Sequence, residues 1–330
     1  MRLADKRLKI VTIGAGTGQR ALLTALKPIS KELASLTAIV AVTDNGGHSG
    51  QLRKKYNIPQ VGDGRQCLTA LATDAKRALI YDTRDKTGRN KGNLILIDYL
   101  RRYNSLGNAF KAAAKELSCC GTIVPATNDN VDIVATLADS SLVIGEWEII
   151  KRKNTLPIKL MSLRPPAEAT TEAIRAIKKA DSIIIAPGSF LTGIISALLP
   201  VGIKEAIQQS SANIIQIINF TNVPNLTDGW DALTYVNEII KYTGRQPEVV
   251  IVNKGTIPDW VTDHYHQRGH SFIPSVPQKI KAAKVEVIEA DLVPDRLPQT
   301  AERSGDKEKA THLLTHDPQR LLQTILSIFN

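Results

Sequence analysis

Residues 8–26, LKIVTIGAGTGQRALLTAL, restrict the fold more than any other stretch: an apolar run ends in three glycines and passes straight into helical spacing. Leu8, Ile10, Val11 and Ile13 have the near-continuous apolar pattern of a parallel strand buried on both faces. Ala21, Leu22, Ala25 and Leu26 then recur at the spacing that gives a helix one apolar face. Between them, Gly14, Gly16 and Gly18 let the backbone come close to a ligand or a neighbouring strand. The first amides of such a helix point outward with the positive end of its dipole, so Gly14, Gly16, Thr17 and Gly18 are candidates to receive a phosphate. The spacing is GxGxG and no GK[ST] follows, which argues against an NAD-dependent oxidoreductase and against a Walker-type NTPase. A tight strand-to-helix turn with no ligand is the plain alternative.

A second strand is expected over 37–43, and it ends at Asp44 in the loop DNGGHSG. A dinucleotide-type fold keeps its ribose-binding acid at this place. Asn45, Gly46, Gly47 and Ser49 add backbone amides and a hydroxyl that could wrap an anion, although a flexible turn would read the same way. Ser49 is expected to cap a short helix through 52–56, and PQVGDGRQ then brings Asp63 and Arg65 into another glycine-bracketed loop. Two such loops with carboxylates suggest one shared polar site. Helical spacing follows over 67–103 in two pieces, with Asn93 opening the second, and again over 108–117. The period then changes. IVPAT, VDIVATLADSSLVIGEWEI and IKLMSLRP read as strands, with Asp139, Ser140 and Ser141 as a hairpin turn, so a β-hairpin insertion is expected at about 121–163.

The α/β rhythm resumes with a helix over 169–180, a strand over 182–186 and the turn PGSFLTG. Gly188, Ser189 and Thr192 repeat there the logic of the opening turn, with a plain N-cap as the alternative for Ser189. Strands over 213–220, 248–253 and 285–292 alternate with helices over 230–242, 259–268 and 318–329. The expected fold is α/β: one domain over 1–330 with a doubly wound, mostly parallel Rossmann-like sheet and the β-hairpin insertion. The segment AERSGDKEKA, 301–310, reads as polar and mobile. His264, His266 and His270 are spaced as solvated helix residues more than as metal ligands, and GxSxG is absent.

Composition bounds the partners. A formal charge of +10, from 42 Lys and Arg against 32 Asp and Glu, favours anions. The basic clusters at 53–55, 84–91 and 151–153 are scattered and not interleaved with aromatics, which argues for a phosphorylated small molecule over nucleic acid. No stretch has the length of a membrane span, and the charged N-terminus lacks a signal core, so a cytoplasmic protein is expected. Cys67, Cys119 and Cys120 form no CxxC and read as buried thiols.

Taken in order, GAGTG, DNGGHSG, VGDGRQCLTALA, KGNLILIDYL, IVPATNDNV and APGSFLTGIISALLPVGIKEAI resemble the CofD/YvcK-like family, as far as THDPQRLLQTIL near the end. That family groups 2-phospho-L-lactate transferase with the bacterial gluconeogenesis factor, a UDP-sugar-binding protein, and the resemblance is closer to the second branch. It implies a ligand at the carboxyl ends of the strands, a homodimer, and a role in carbon metabolism and in cell-wall or cell-shape control. A nucleotide sugar would then meet Gly14, Gly16, Thr17 and Gly18 with its phosphates and Asp44 with a hydroxyl. Asn45, Gly46, Gly47, Ser49, Asp63, Arg65, Asn93 and Asn219 would line the site, and Gly188, Ser189 and Thr192 would close the opposite wall. The rival reading is a phospholactyl-type transferase acting on a deazaflavin or other alcohol, with Asp44 or Asp63 as catalytic groups that hold Mg²⁺ or orient the acceptor. The chain departs from the branch's usual pattern at Asn45, where the factor has a second aspartate, at Leu191, where it has tyrosine, and in FTNVPNLTDGW.

Overall fold

The computed structural model describes residues 7–86, 88–297 and 313–329; the polar segment 301–310 lies outside them. Among the described residues, ten strands form two sheets. They are β1 (Lys9–Gly14), β2 (Ser35–Val40), β3 (Thr122–Pro125), β4 (Asp132–Leu137), β5 (Leu142–Ile144), β6 (Ile158–Arg164), β7 (Ser182–Ile185), β8 (Asn213–Ile217), β9 (Val249–Asn253) and β10 (Glu286–Ala290). Seven make a parallel sheet in the order β10-β9-β8-β7-β1-β2-β3, and the other three an antiparallel sheet in the order β5-β4-β6. The apolar run of β1 is explained by its place at the centre: Ile10 faces one core and Val11 and Ile13 the other, all at most 2% exposed. Helices on both faces complete the doubly wound α/β fold expected from the sequence.

Along the first half, the helices are α1 (Gly16–Leu26), α2 (Gly47–Tyr56), α3 (Gly62–Leu71), α4 (Ala75–Asp82), α5 (Lys91–Tyr103), α6 (Leu106–Glu116), α7 (Glu146–Lys151) and α8 (Thr171–Lys179). Leu22, Leu23 and Leu26 of α1 are fully buried, and each such side chain contributes about 1.5–3 kcal/mol. The C-terminal helix, Pro318–Phe329, has the bounds its spacing predicts and buries Leu321, Ile325 and Phe329 in the same core.

Several local expectations are corrected. The helical stretch before residue 103 is in three pieces, because the chain leaves the helix at Ala72, where the backbone is extended, and Asp74 caps a new one. Ser49 is not a cap. The helix begins two residues earlier, with Gly46 at the N-cap and no side-chain bond. Residues 122–125 belong to the main sheet, paired with β2, so the insertion is narrower than 121–163, and within it the expected strand in IKLMSLRP pairs with the hairpin to make three strands. The hairpin through Ser140 forms, but its second strand stops at Ile144. Gly145 then takes a φ of +97°, and Glu146–Lys151 is helical where alternation predicted strand. The small sheet lays Ile133, Ala135, Leu137 and Met161 on the core of the main sheet.

Candidate functional site

The strand order reverses between β1 and β7. From β1 the chain winds outward through β2 to β3, and from β7 it winds the other way through β8 and β9 to β10. Open α/β sheets form their ligand crevice at such a point, outside the carboxyl ends of the strands. Both glycine turns stand there, in contact. A Cβ on Gly18 would lie 1.9 Å from the Pro187 carbonyl oxygen, one on Gly14 2.8 Å from Ala186 Cβ, and one on Gly193 2.9 Å from Ala15 Cβ. The glycines at 14 and 18 thus serve the packing of turn on turn. Gly16 differs: its φ is +57°, and its N–H donates to the Asp63 carboxylate. Thr17 is half-buried in the first turn of α1, which has no side-chain cap.

The β7 turn is held by Asn219. Its Oδ1 accepts the Gly188 N–H at 2.8 Å and its Nδ2 donates to the Gly188 carbonyl, so both ends of the amide are engaged within the protein. Ser189 sits at the start of a π-helical turn, Phe190–Ile195, but bonds no backbone amide there. Its hydroxyl instead meets the Thr192 hydroxyl at 2.6 Å.

On the β2 side, Asp44 Oδ1 accepts the Gly46 N–H at 2.8 Å, whereas Oδ2 has a long contact of 3.5 Å with Gln60 Nε2. Gln60 Oε1 accepts the Asp63 N–H at 3.1 Å, which ties the two carboxylate loops together. Asn45 Oδ1 accepts the Trp147 N–H at 2.8 Å and fixes the start of α7. Gly47, at φ +45°, has open space where a Cβ would stand. Ser49 Oγ lies 3.5 Å from the corresponding position on Gly62, in the first turn of α3.

A third carboxylate, absent from the sequence reading, completes the crevice. Glu146 of α7 stands beside Asp44 and Thr192, and its Oε2 is buried without a partner. Burial first, then the Asp44 charge, push the Glu146 carboxyl well above the usual carboxylate range. The same two causes raise Asp63 to about 7, against hydrogen bonds from Gln60 and Gly16 and the charge of Arg65. The only sequence signal for Glu146 is GEWE, a glycine followed by two acids in what could be a first helical turn.

Cations stand to one side of these acids. Arg65 donates to Asn93 Oδ1 at 3.0 Å and pairs with Asp82, which Arg20 shares at 2.9 Å. Asn93 is itself buried and held at the start of α5 by Asn90. Arg84 and Arg89 approach His48, whose pKa is lowered first by burial and then by their charge. The crevice therefore has a carboxylate end under α7 and a guanidinium rim over α4. A separate hollow of about 330 Å³ at the opposite, amino ends of β1, β2 and β3 is lined by Lys9, Thr37, Thr122 and Arg175 and brings together none of these groups. Among the described residues, no three His, Cys, Asp or Glu side chains converge on a metal-holding arrangement, the 264–270 histidines included. Also among the described residues, no helix is long and apolar enough to cross a membrane.

Known proteins share this framework. The gluconeogenesis factor of Bacillus subtilis is 32% identical over 293 residues, 86% of this chain and 91% of that protein. A protein of Aquifex aeolicus given the same name provisionally is 32% identical over 333 residues, 98% of this chain and 97% of its own. The crystal structure of a UPF0052-family protein from Bacillus halodurans has a TM-score of 0.87 at 30% identity, covering 97% of this chain and 99% of that one. The family described as 2-phospho-L-lactate transferase CofD matches residues 10–293, a span that includes both turns, the carboxylate loops and the inserted sheet. A crevice assembled from these segments, on a sheet shared over almost its full length, makes this chain a member of the CofD family.

Proposed function

We propose that the chain binds a nucleotide sugar of the UDP-sugar class in the crevice between β1 and β7 and acts as a regulator of carbon metabolism and of cell-wall or cell-shape control. The observation that carries this reading is the contact between two strand-to-helix turns at the reversal of strand order, with the loop 44–49 beside them. In it, the first-turn amides of α1 at Thr17 and Gly18 receive phosphate, Asp44 Oδ2 takes a sugar or ribose hydroxyl, and Gly188, Ser189 and Thr192 form the facing wall. The kinship with gluconeogenesis factors supports the regulatory part. The protein works in the cytoplasm as a homodimer, which light scattering tests. Calorimetry with UDP-N-acetylglucosamine and other UDP-sugars tests the ligand: heat with micromolar to submillimolar affinity is expected, and none at millimolar ligand overturns the reading.

The family's description supports a second reading, transfer of a phospholactyl-type group. Mg²⁺ binds through one or two carboxylates together with substrate phosphates, and Asp44 and Asp63 would supply them. Product formation from a lactyl-diphospho-nucleoside donor and a deazaflavin acceptor with Mg²⁺ is its test.

A further inference from the structure

Glu146 does not come from either glycine turn or from the loops between them; the inserted sheet carries it across the crevice. Its place is fixed at both sides. Asn45 holds the start of α7 through the Trp147 N–H at 2.8 Å, and a Cβ on Gly145 would fall 2.5 Å from Asn45 Nδ2, so α7 enters close against Asn45. Across from it, the Ser189 and Thr192 hydroxyls are 2.6 Å apart, and Thr192 stands beside the Glu146 carboxyl. Polar groups therefore line the way from β7 through Ser189, Thr192 and Glu146 to Asp44, whose Oδ1 accepts the Gly46 N–H.

Glu146 Oε2 is buried and has no donor. A buried acceptor with no donor costs about as much as a lost hydrogen bond, and such groups in native proteins are normally satisfied. The facing wall at this place is made of hydroxyl and amide groups, whereas the guanidinium groups stand over α4, paired with Asp82 and Asp85. A ligand with phosphate at one end and a polyol at the other matches the two ends in charge and in hydrogen-bonding sense.

We infer that Glu146 is a specificity-determining residue, whose buried Oε2 accepts a hydroxyl of the ligand's sugar and so distinguishes a nucleotide sugar from the bare nucleotide. This deepens the proposed function and rests on it. The test is calorimetry on the full chain with two probes, UDP and UDP-N-acetylglucosamine, for wild type, Glu146→Leu and Glu146→Gln. Wild type is expected to prefer the sugar nucleotide. Glu146→Leu should lose about ten- to a hundredfold in affinity for it while UDP binding stays within about twofold. Glu146→Gln, which keeps an acceptor oxygen at the same reach, should recover most of the loss. Equal weakening of both probes would show a role in shaping the crevice only, and unchanged affinities would show that water satisfies Oε2; either result overturns the inference and leaves the proposed function standing. Absence of heat from the wild type with the sugar nucleotide removes both. If Glu146→Leu does not fold, Glu146→Asp, which draws the carboxyl back by one methylene, should show the same selective loss.

Discussion

In the turn after β1, a side chain at Gly18 would drive into the Pro187 carbonyl; in the loop after β2, a side chain at Gly47 would meet nothing within 4 Å. Both stretches are dense in glycine and follow a strand, and by spacing alone both suggest a phosphate cradle. Their glycines answer to different constraints. At 14, 18 and 193 the absence of a side chain lets two turns from different strands lie against each other, which brings the β1 and β7 walls together. At 47 it lets the chain adopt a positive φ beside open space, the condition under which backbone amides can face a ligand. The first turn builds the crevice, and the second lines it.

Gly18→Ala attacks the first of these roles and should have the largest effect. Overpacking costs about 1–3 kcal/mol where side chains can shift, and a backbone carbonyl at 1.9 Å cannot shift without opening the clasp, so a loss of about 3 kcal/mol is expected. Thermal or urea denaturation measures it. A variant as stable as the wild type would mean that the two turns are not clasped.

Asp63→Asn separates the lining from the clasp by pH. The folded-state pKa of Asp63, about 7, is raised above its ordinary 3.8. Below about pH 4 both folded and unfolded chains hold the proton. As pH rises toward 7 the unfolded chain releases it first, so the stability that Asp63 contributes at low pH is lost through this window. A rise of this size corresponds to about 4 kcal/mol, and partial solvent access reduces the expectation to about 2 kcal/mol. Asn cannot titrate, so the stability difference, variant minus wild type, should grow by that amount between pH 4 and pH 8. A difference independent of pH would place Asp63 in water.

Asp44→Asn sharpens the contrast further, because the two oxygens of Asp44 have different partners. Asn keeps an acceptor for the Gly46 N–H, the bond that makes Asp44 a turn residue. It removes the charge and the second acceptor, which has only the 3.5 Å contact with Gln60. The unliganded melting temperature should therefore change little, while UDP-sugar affinity falls about tenfold. Asp44→Ala adds the loss of the turn bond, about 0.5–2 kcal/mol of stability. Thermal-shift titration reads both quantities, and equal ligand-induced shifts in wild type and Asp44→Asn would remove Asp44 from the binding set.

How much of this was legible follows from the range of each interaction. β1, its turn and α1 could be read because local apolar periodicity and glycine content determine them, and the repeat of that pattern at 182–192 places the second wall. The relation between the two turns is a property of strand order, which spacing implies only through the general rule for doubly wound sheets. Residues 145–151 failed for a different reason. Alternation favours a strand there, but Asn45, about a hundred residues earlier, supplies the cap that starts a helix. Glu146 was invisible because its burial and its neighbours Asp44 and Thr192 depend on segments about 100 and 50 residues away in sequence, which no local pattern brings together. Asn219 and Arg65 could be nominated from sequence, but only the structure shows Asn219 engaged by Gly188 and Arg65 by Asp82 and Asn93.

Gly47→Ala is the smallest expected effect and the cleanest probe of the lining role. No atom lies within 4 Å of the added methyl, so the change carries no packing penalty. The φ of +45° is unfavourable for alanine by about 1–2 kcal/mol, and the reduced freedom of the unfolded chain offsets about 0.4–1 kcal/mol of that. The net loss should be about 1 kcal/mol or less, a third of that at Gly18. The informative quantity is the ligand-induced stabilisation in the same variant. If the backbone after β2 faces the ligand, the methyl occupies space the ligand needs, and the induced shift should shrink by more than the small loss of stability accounts for. If the loop is only a turn, the shift should equal that of the wild type, and Gly47 would then serve chain geometry alone, as Gly14 and Gly18 serve packing.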